Sequence, residues 1–106
     1  MILTGKTKEE FLKYLDVEEQ WFNDECVDLF ANALIIEWFD SVGFFISNPS
    51  FNDTGSGYQR GFECEVYDEK NNNIYEIYND NDVFESRQEA TEKAIIKANE
   101  IYNLNN

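Results

Sequence analysis

Histidine is absent from this chain of 106 residues. The commonest general base and the commonest transition-metal ligand are therefore missing, which excludes serine–histidine and cysteine–histidine catalysis. Cysteine is scarce, because only Cys26 and Cys64 occur, in apolar surroundings and without the spacing of a metal site. We expect two reduced, partly buried thiols, with a disulfide bond as the alternative.

Long apolar runs are also missing. No stretch approaches the roughly 20 residues that a membrane helix needs, and the first residues lack the regions of a signal peptide. A cytoplasmic protein that does not bind membranes is therefore expected. Aromatic residues nevertheless make up 16% of the chain, unlike a disordered segment, so residues 1–106 are predicted to fold as a single domain.

Basic residues are few and unevenly placed. Eight Lys and Arg stand against 22 Asp and Glu, and none lies between Lys13 and Arg60, an interval with nine carboxylates. Residues 61–86 add eight more carboxylates against Lys70 alone. The net charge of -14 is thus concentrated in the middle of the chain, where mutual repulsion opposes compaction. A basic partner would relieve this repulsion, so the surface charge is the predicted working feature.

Capping boxes and apolar periodicity predict the helices. Boxes at Thr7 and at Asp16 start a first helical region, and a box at Ser86 starts the last helix. Between them, residues 24–41 are predicted to form a central helix with Trp38 buried and with Gly43 as its stop. Its apolar stripe, more than half the circumference wide, is Cys26, Val27, Leu29, Phe30, Ala31, Ala33, Leu34, Ile35, Trp38 and Val42.

After Gly43 the apolar period changes from about 3.6 to about 2, which indicates strands. Strands are predicted over residues 44–48, 58–68 and 74–79, with a polar loop over residues 50–57. The predicted fold class is α+β: a three-stranded antiparallel meander packed against helices, in the order α-α-β-β-β-α.

The turn at residues 71–73 sets the register of the last two strands. A two-residue loop, Asn71-Asn72, would place Glu65 opposite Tyr78 and Glu63 opposite Asp80 on the outer face. A three-residue loop would instead invert the faces, because a shift of one residue turns every side chain over.

Two chemical interpretations of the carboxylates are weak. Residues 79–85 resemble a calcium loop in composition, but a start at Asp80 puts Phe84 at a ligand position and Glu85 at the glycine position. Carboxylate pairs such as Glu63 with Glu65 fall on a predicted solvent face, not across a sugar-sized cleft. We therefore predict no catalytic residue, no metal and no cofactor, and we expect that the protein is not an enzyme.

Two acidic surfaces are candidate partner-binding sites. Acids at helix starts already have a structural explanation in the helix dipole, whereas Asp and Glu are poor strand formers that repel when paired. The hairpin is therefore the preferred site. The hairpin set is Glu63, Glu65, Tyr67, Glu76, Tyr78, Asp80 and Asp82. The helix-start set, the second candidate, is Asp16, Glu18, Glu19, Asp24, Glu25 and Asp28.

The order of the last elements and the patterning of residues 86–101 resemble the double-stranded-RNA-binding fold. That family uses lysines at the start of its last helix to hold phosphates, whereas residues 86–93 here, Ser-Arg-Gln-Glu-Ala-Thr-Glu-Lys, are neutral overall. Phosphate contacts supply most nonspecific affinity, so we expect no direct binding of nucleic acid.

In size, acidity and lack of a catalytic motif, the chain resembles small phage or prophage proteins that block host defence, including anti-CRISPR proteins and other nucleic-acid mimics. The resemblance implies a non-enzymatic inhibitor or decoy, in the host cytoplasm, that binds the basic nucleic-acid-binding surface of a host-defence nuclease. Alternate strand carboxylates lie about 6.5 to 7 Å apart, near two axial steps of a DNA strand. The alternative is an acidic interaction module that regulates a partner away from any nucleic-acid site, and an unrecognised hydrolase is third.

Overall fold

Four helices and five strands make up the described part of the chain in a computed structural model. It describes residues 1–47, 50–53, 59–70, 72–77 and 86–106, and for 50–53, 59–62, 73 and 75–77 the backbone alone. The helices are α1 (Gly5–Leu15), α2 (Glu19–Glu25), α3 (Asp28–Ser41) and α4 (Arg87–Asn105). The strands are β1 (Phe44–Ser47), β2 (Ser50–Asp53), β3 (Gln59–Phe62), β4 (Cys64–Asp68) and β5 (Asn73–Ile77).

The predicted three-stranded meander is wrong, although the chain is α+β. The hairpin of consecutive strands β4 and β5 is joined by β1 on the other side of β4, while β2 and β3 form a separate antiparallel pair. The order is α-α-α-β-β-β-β-β-α. The predicted strand over residues 58–68 is interrupted at Glu63, and the predicted polar loop contains β2. Alternation continues through Glu63, so periodicity alone did not reveal that the chain changes sheets there.

The register of the β4–β5 hairpin differs by two residues from the predicted one. Glu65 lies opposite Glu76, not opposite Tyr78, and an irregularity falls between Val66 and Tyr67. Over Cys64–Val66 the difference is an even number of residues, so the residues that share a face remain the predicted ones there. Beyond the irregularity Tyr67 lies opposite Asn73, a difference of three residues. The pairing places two carboxylate residues opposite each other.

Asp68 closes the turn of this hairpin. Its Oδ1 accepts hydrogen bonds from the backbone N–H groups of Lys70 at 3.0 Å and of Asn72 at 2.9 Å. The backbone hydrogen bond from Asn72 is the main cause that lowers the pKa of the Asp68 carboxyl. The carboxylate of Asp68 thus stabilises this turn through hydrogen bonds from the backbone.

The first helix does not begin at its predicted capping box. α1 begins at Gly5, whose φ of +58° suits glycine, and Thr7 is fully buried inside the helix. The Thr7 hydroxyl donates to Oδ1 of Asn103 at 2.8 Å and therefore joins α1 to α4. Asp16, the predicted start of the next helix, instead ends α1 in the left-handed region with φ 57°.

The other helix ends agree more closely with the sequence patterns. α3 begins at Asp28, four residues after the predicted start, and Gly43 follows its end with φ +88°. The Ser86 cap is confirmed, because its Oγ accepts a hydrogen bond from the Glu89 N–H at 3.1 Å.

The core lies between the helices and one face of the β1-β4-β5 sheet. α4 packs against β4, β1, α1 and α3, and its small buried residues Ala90, Ala94 and Ala98 allow close approach. The rings of Phe39 and Phe44 are stacked with their centroids 6.0 Å apart, and this contact joins α3 to β1. A membrane-spanning helix is not found in the described part of the chain.

Both cysteines are free and buried, which confirms the prediction of two thiols over the disulfide alternative. Burial raises the pKa of the Cys64 thiol, which keeps it protonated and poorly reactive. The thiols therefore contribute as small apolar groups of the core.

Candidate interaction surface

The hairpin set lies only partly within the described residues. Outside them are Tyr78, Asp80 and Asp82. Glu76 is placed by its backbone alone, opposite Glu65 on β4. Glu63, between β3 and β4, is half-buried and takes part in an interaction of its own.

Glu65 is buried, with 8% of its surface exposed, although it was predicted to face solvent. The hydroxyl of Tyr67 donates a hydrogen bond to its carboxylate. The pairing with β1 places Glu65 and Tyr67 on the face opposite Val66, which packs in the core. A buried carboxylate that already accepts a hydrogen bond has less capacity to contact a partner. This burial weakens the case for Glu65 as a contact residue.

The helix-start set is more accessible. Five of its six members are exposed: Asp16, Glu18, Asp24, Glu25 and Asp28. Glu19 is half-buried, and its carboxylate lies 3.2 Å from Nζ of Lys8. Because an exposed ion pair of this kind contributes only about 0 to 1 kcal/mol, it holds Glu19 weakly. The exposed carboxylates of this set therefore lie between the end of α1 and the start of α3.

α3 exposes apolar residues that were predicted to be core. Leu29 is 68% exposed and Phe30 is 54% exposed, and Val27 just before the helix is 73% exposed. Ala33 is exposed as well. With about 3.6 residues per turn, Leu29, Phe30 and Ala33 fall on one side of the helix. Exposed large apolar groups that lie side by side are a mark of interaction sites.

Two carboxylates continue this side of α3 toward its C-terminal end. Glu37 and Asp40 are exposed and three residues apart, so they are neighbours on the helix surface. Although Asp40 is largely exposed, partial desolvation of its carboxyl, and next the negative charge of Glu37, raises its pKa. We use the name α3 surface for Leu29, Phe30, Ala33, Glu37 and Asp40.

The buried side of α3 is centred on Asn32, Ile35, Trp38 and Phe39. Burial of Trp38 is confirmed, with 2% of its surface exposed. The width of the predicted stripe was the available signal that part of it would be exposed, because a helix that packs against one layer buries only part of such a stripe. Asn32 lies on this buried side although it is polar, so the apolar stripe did not include it.

A cavity of about 340 Å³ lies beside the N-terminal half of α3. Its apolar walls include Ile2, Phe22 and Ile35. The polar residues at its walls include Asn32, which carries an amide, and Asp28 and Glu92, which carry carboxylates.

Within the described ranges, no group of three or more His, Cys, Asp or Glu side chains is arranged to hold a metal ion. The described residues offer exposed carboxylates, exposed apolar side chains and a polar cavity. These groups can attract cations, bury apolar surface and form hydrogen bonds.

No protein-family model, no curated protein and no solved structure matches this chain. The resemblances to the double-stranded-RNA-binding fold and to phage inhibitors therefore stay predictions.

Proposed function

We propose that this protein is a non-enzymatic inhibitor or decoy that binds the basic nucleic-acid-binding surface of another protein, a host-defence nuclease, in the cytoplasm. We assign the contact to the α3 surface and to the exposed acids Asp24 and Glu25 at the end of α2. One observation carries the assignment: Leu29 and Phe30 are largely exposed on the helix side that also bears carboxylates.

The acidic component would act over distance. No basic residue occurs between Lys13 and Arg60, so the charges of α2 and α3 have no cation near them in the sequence. A field of one sign attracts an oppositely charged surface and raises the rate of association. Nucleic-acid-binding surfaces carry the positive charge that such a field selects.

The apolar component would act at contact. Complete burial of a Leu or Phe side chain contributes about 1.5 to 3 kcal/mol, and both are available on this surface. Large apolar and aromatic side chains are frequent anchors of protein interfaces. Charge would thus bring the partner close, and Leu29 with Phe30 would hold it.

The alternative function is an acidic module that regulates a partner away from any nucleic-acid site. The exposed side chains of Leu29 and Phe30 would anchor such a module equally well, because apolar side chains are not needed to imitate phosphates. The two functions differ in one measurable property. Nucleic acid must compete with a decoy, whereas it need not compete with a module bound elsewhere.

The test uses the full chain, immobilised, and a lysate fraction enriched for basic proteins on heparin. Retained protein is challenged with a DNA duplex or an RNA at fixed ionic strength, with an equal concentration of simple salt as the reference. For a decoy, nucleic acid releases the partner and salt of the same ionic strength does not. Retention that is unchanged by either nucleic acid would establish the module instead.

A charge-matched pair of variants locates the surface. Glu37→Lys with Asp40→Lys should abolish retention, whereas Glu9→Lys with Glu89→Lys should preserve it, because both latter residues are exposed on other helices. If both double variants lose retention of the partner equally, the partner responds to net charge alone, and the α3 surface is not the contact.

A further inference from the structure

The side chain of Asn32 lies inside the protein without a complete set of hydrogen bonds. The residue is 7% exposed, and its Nδ2 finds no hydrogen-bond partner among the described residues. Buried polar groups almost always have a partner, and an unpaired one costs free energy. A site for a hydrogen-bond acceptor therefore exists next to this amide.

Asn32 is also one wall of the cavity of about 340 Å³. This volume falls within the range of about 300 to 1,000 Å³ that is usual for small-ligand sites. Asp28 and Glu92 contribute carboxylates to the same cavity, and Nε2 of Gln88 lies 3.3 Å from Oε1 of Glu92. The cavity is therefore negative, with an amide donor at its wall.

Apolar side chains supply the remaining contact area. Ile2, Phe22 and Ile35 line the cavity, and Phe22 and Ile35 belong to the hydrophobic core. Three kinds of group thus line one cavity: two carboxylate residues, an amide donor and an apolar wall.

We propose that this cavity binds a small organic cation in which an ammonium group, a carbonyl oxygen and an apolar side chain lie close together, the chemistry of an amino-acid amide. The ammonium group pairs with Asp28 and Glu92, the carbonyl oxygen accepts from Nδ2 of Asn32, and the apolar group contacts Phe22 and Ile35. This site goes beyond the proposed function, because its ligand is not the partner of the α3 surface.

Other ligand classes match this cavity less well. A free carboxylate ligand would be repelled by Asp28 and Glu92, while a purely apolar ligand would leave the Asn32 amide unpaired. A hard divalent cation such as calcium needs about six to eight oxygen ligands, more than the two carboxylates and two amides at the walls supply.

The binding test compares three probes of similar size on the full chain. Leucinamide has all three groups, 3-methylbutylamine lacks the carbonyl, and 4-methylpentanamide lacks the ammonium. Dissociation constants are measured by titration followed in ¹H–¹⁵N NMR spectra, including the side-chain amide signal of Asn32. Leucinamide should bind at least about tenfold more tightly than either other probe, the factor expected when one charge-assisted or amide hydrogen bond is lost.

Variants connect each group of the probe to a residue. In Asn32→Leu the advantage of leucinamide over 3-methylbutylamine should disappear, since the amide that distinguishes them is gone. Glu92→Gln should weaken leucinamide about tenfold, while Glu89→Gln, which removes an exposed charge on the same helix, should not.

Two results would overturn the proposal. If leucinamide binds no more tightly than its two analogues, the cavity holds water and serves no such ligand. If Glu89→Gln weakens binding as much as Glu92→Gln, the probe responds only to net charge. Both tests keep Asn32 in place, so they decide the matter even if Asn32→Leu does not fold.

Discussion

The hydroxyl of Tyr67 donates a hydrogen bond to the buried carboxylate of Glu65, two residues earlier on β4. Both side chains lie on the sheet face that the sequence marked as the preferred interaction surface. The bond gives Glu65 a structural role there, because a buried carboxylate without a donor would be costly. At least one acid of the hairpin, Glu65, therefore has a role in the folded structure itself.

The first prediction concerns this bond. Glu65→Lys should lower the free energy of unfolding by about 1 to 3 kcal/mol, since it removes the acceptor of Tyr67 and buries an ammonium group, a cost that Glu76 on the facing strand offsets only in part. Tyr67→Phe, which removes the donor alone, should cost about 1 kcal/mol. Urea denaturation measures both. A loss below about 0.5 kcal/mol for Glu65→Lys would show that the carboxylate is not held as described.

Part of this hairpin was predictable from sequence, and part was not. Alternation along residues 58–68 puts Cys64 and Val66 on one face of the strand, and both are fully buried. The two-residue difference in register was not predictable, because the pattern of period 2 is the same after an even shift. Glu65 lies on the central strand, between Ser47 of β1 and Glu76 of β5, and the alternation within one strand does not reveal these neighbours.

The second prediction tests the orientation of α3. Ile35→Ala should cost about 2 to 5 kcal/mol, because Ile35 is fully buried. Leu34→Ala should cost less, since Leu34 is half-buried, and Leu29→Ala should change stability by less than about 0.5 kcal/mol. Equilibrium unfolding in urea ranks the three. A Leu29 variant as unstable as the Ile35 variant would contradict the exposed α3 surface.

The α3 result shows what a broad apolar stripe can and cannot reveal. The stripe correctly located the helix and the burial of Trp38, because both follow from helical periodicity. It did not show which edge of the stripe would be exposed. That choice depends on how α3 meets α4 and β1, and these contacts join segments far apart in sequence.

The third prediction concerns pH and the turn at Asp68. Hydrogen bonds to the carboxylate, first from the Asn72 backbone, hold the pKa below its usual 3.8 in the folded protein. The ionised form is thus favoured by folding, so this contribution is present above pH 3.8 and is lost as the pH falls through the lowered value.

Asp68→Asn tests this turn, because an amide oxygen is a weaker acceptor than a carboxylate. The variant should have a lower urea midpoint than the parent at neutral pH, and the difference should shrink under strongly acidic conditions. Glu69→Gln, in the same turn and exposed, is the control and should follow the parent. A difference that stays constant with pH would exclude a role for ionisation.

The last prediction separates function from stability on the α3 surface. Burial and the charge of Glu37 raise the pKa of Asp40 above 3.8, so the ionised carboxylate is disfavoured in the folded state. The folded protein therefore binds the proton more tightly, and stability decreases as the pH rises through the raised pKa. At neutral pH this destabilisation is fully present.

Asp40→Asn should accordingly raise the thermal midpoint at neutral pH, with a gain that disappears at low pH where Asp40 is protonated. The same variant should weaken retention of the basic partner and lower the salt dependence of binding, because one attractive charge is lost. Glu9→Gln, an exposed acid on α1, should leave partner retention unchanged. If Asp40 served the structure alone, its neutralisation would not both raise the stability of the protein and weaken retention of the partner. If Asp40→Asn stabilises the protein and retains the partner as well as the parent does, the acidic end of α3 lies outside the contact, which then depends on Leu29 and Phe30.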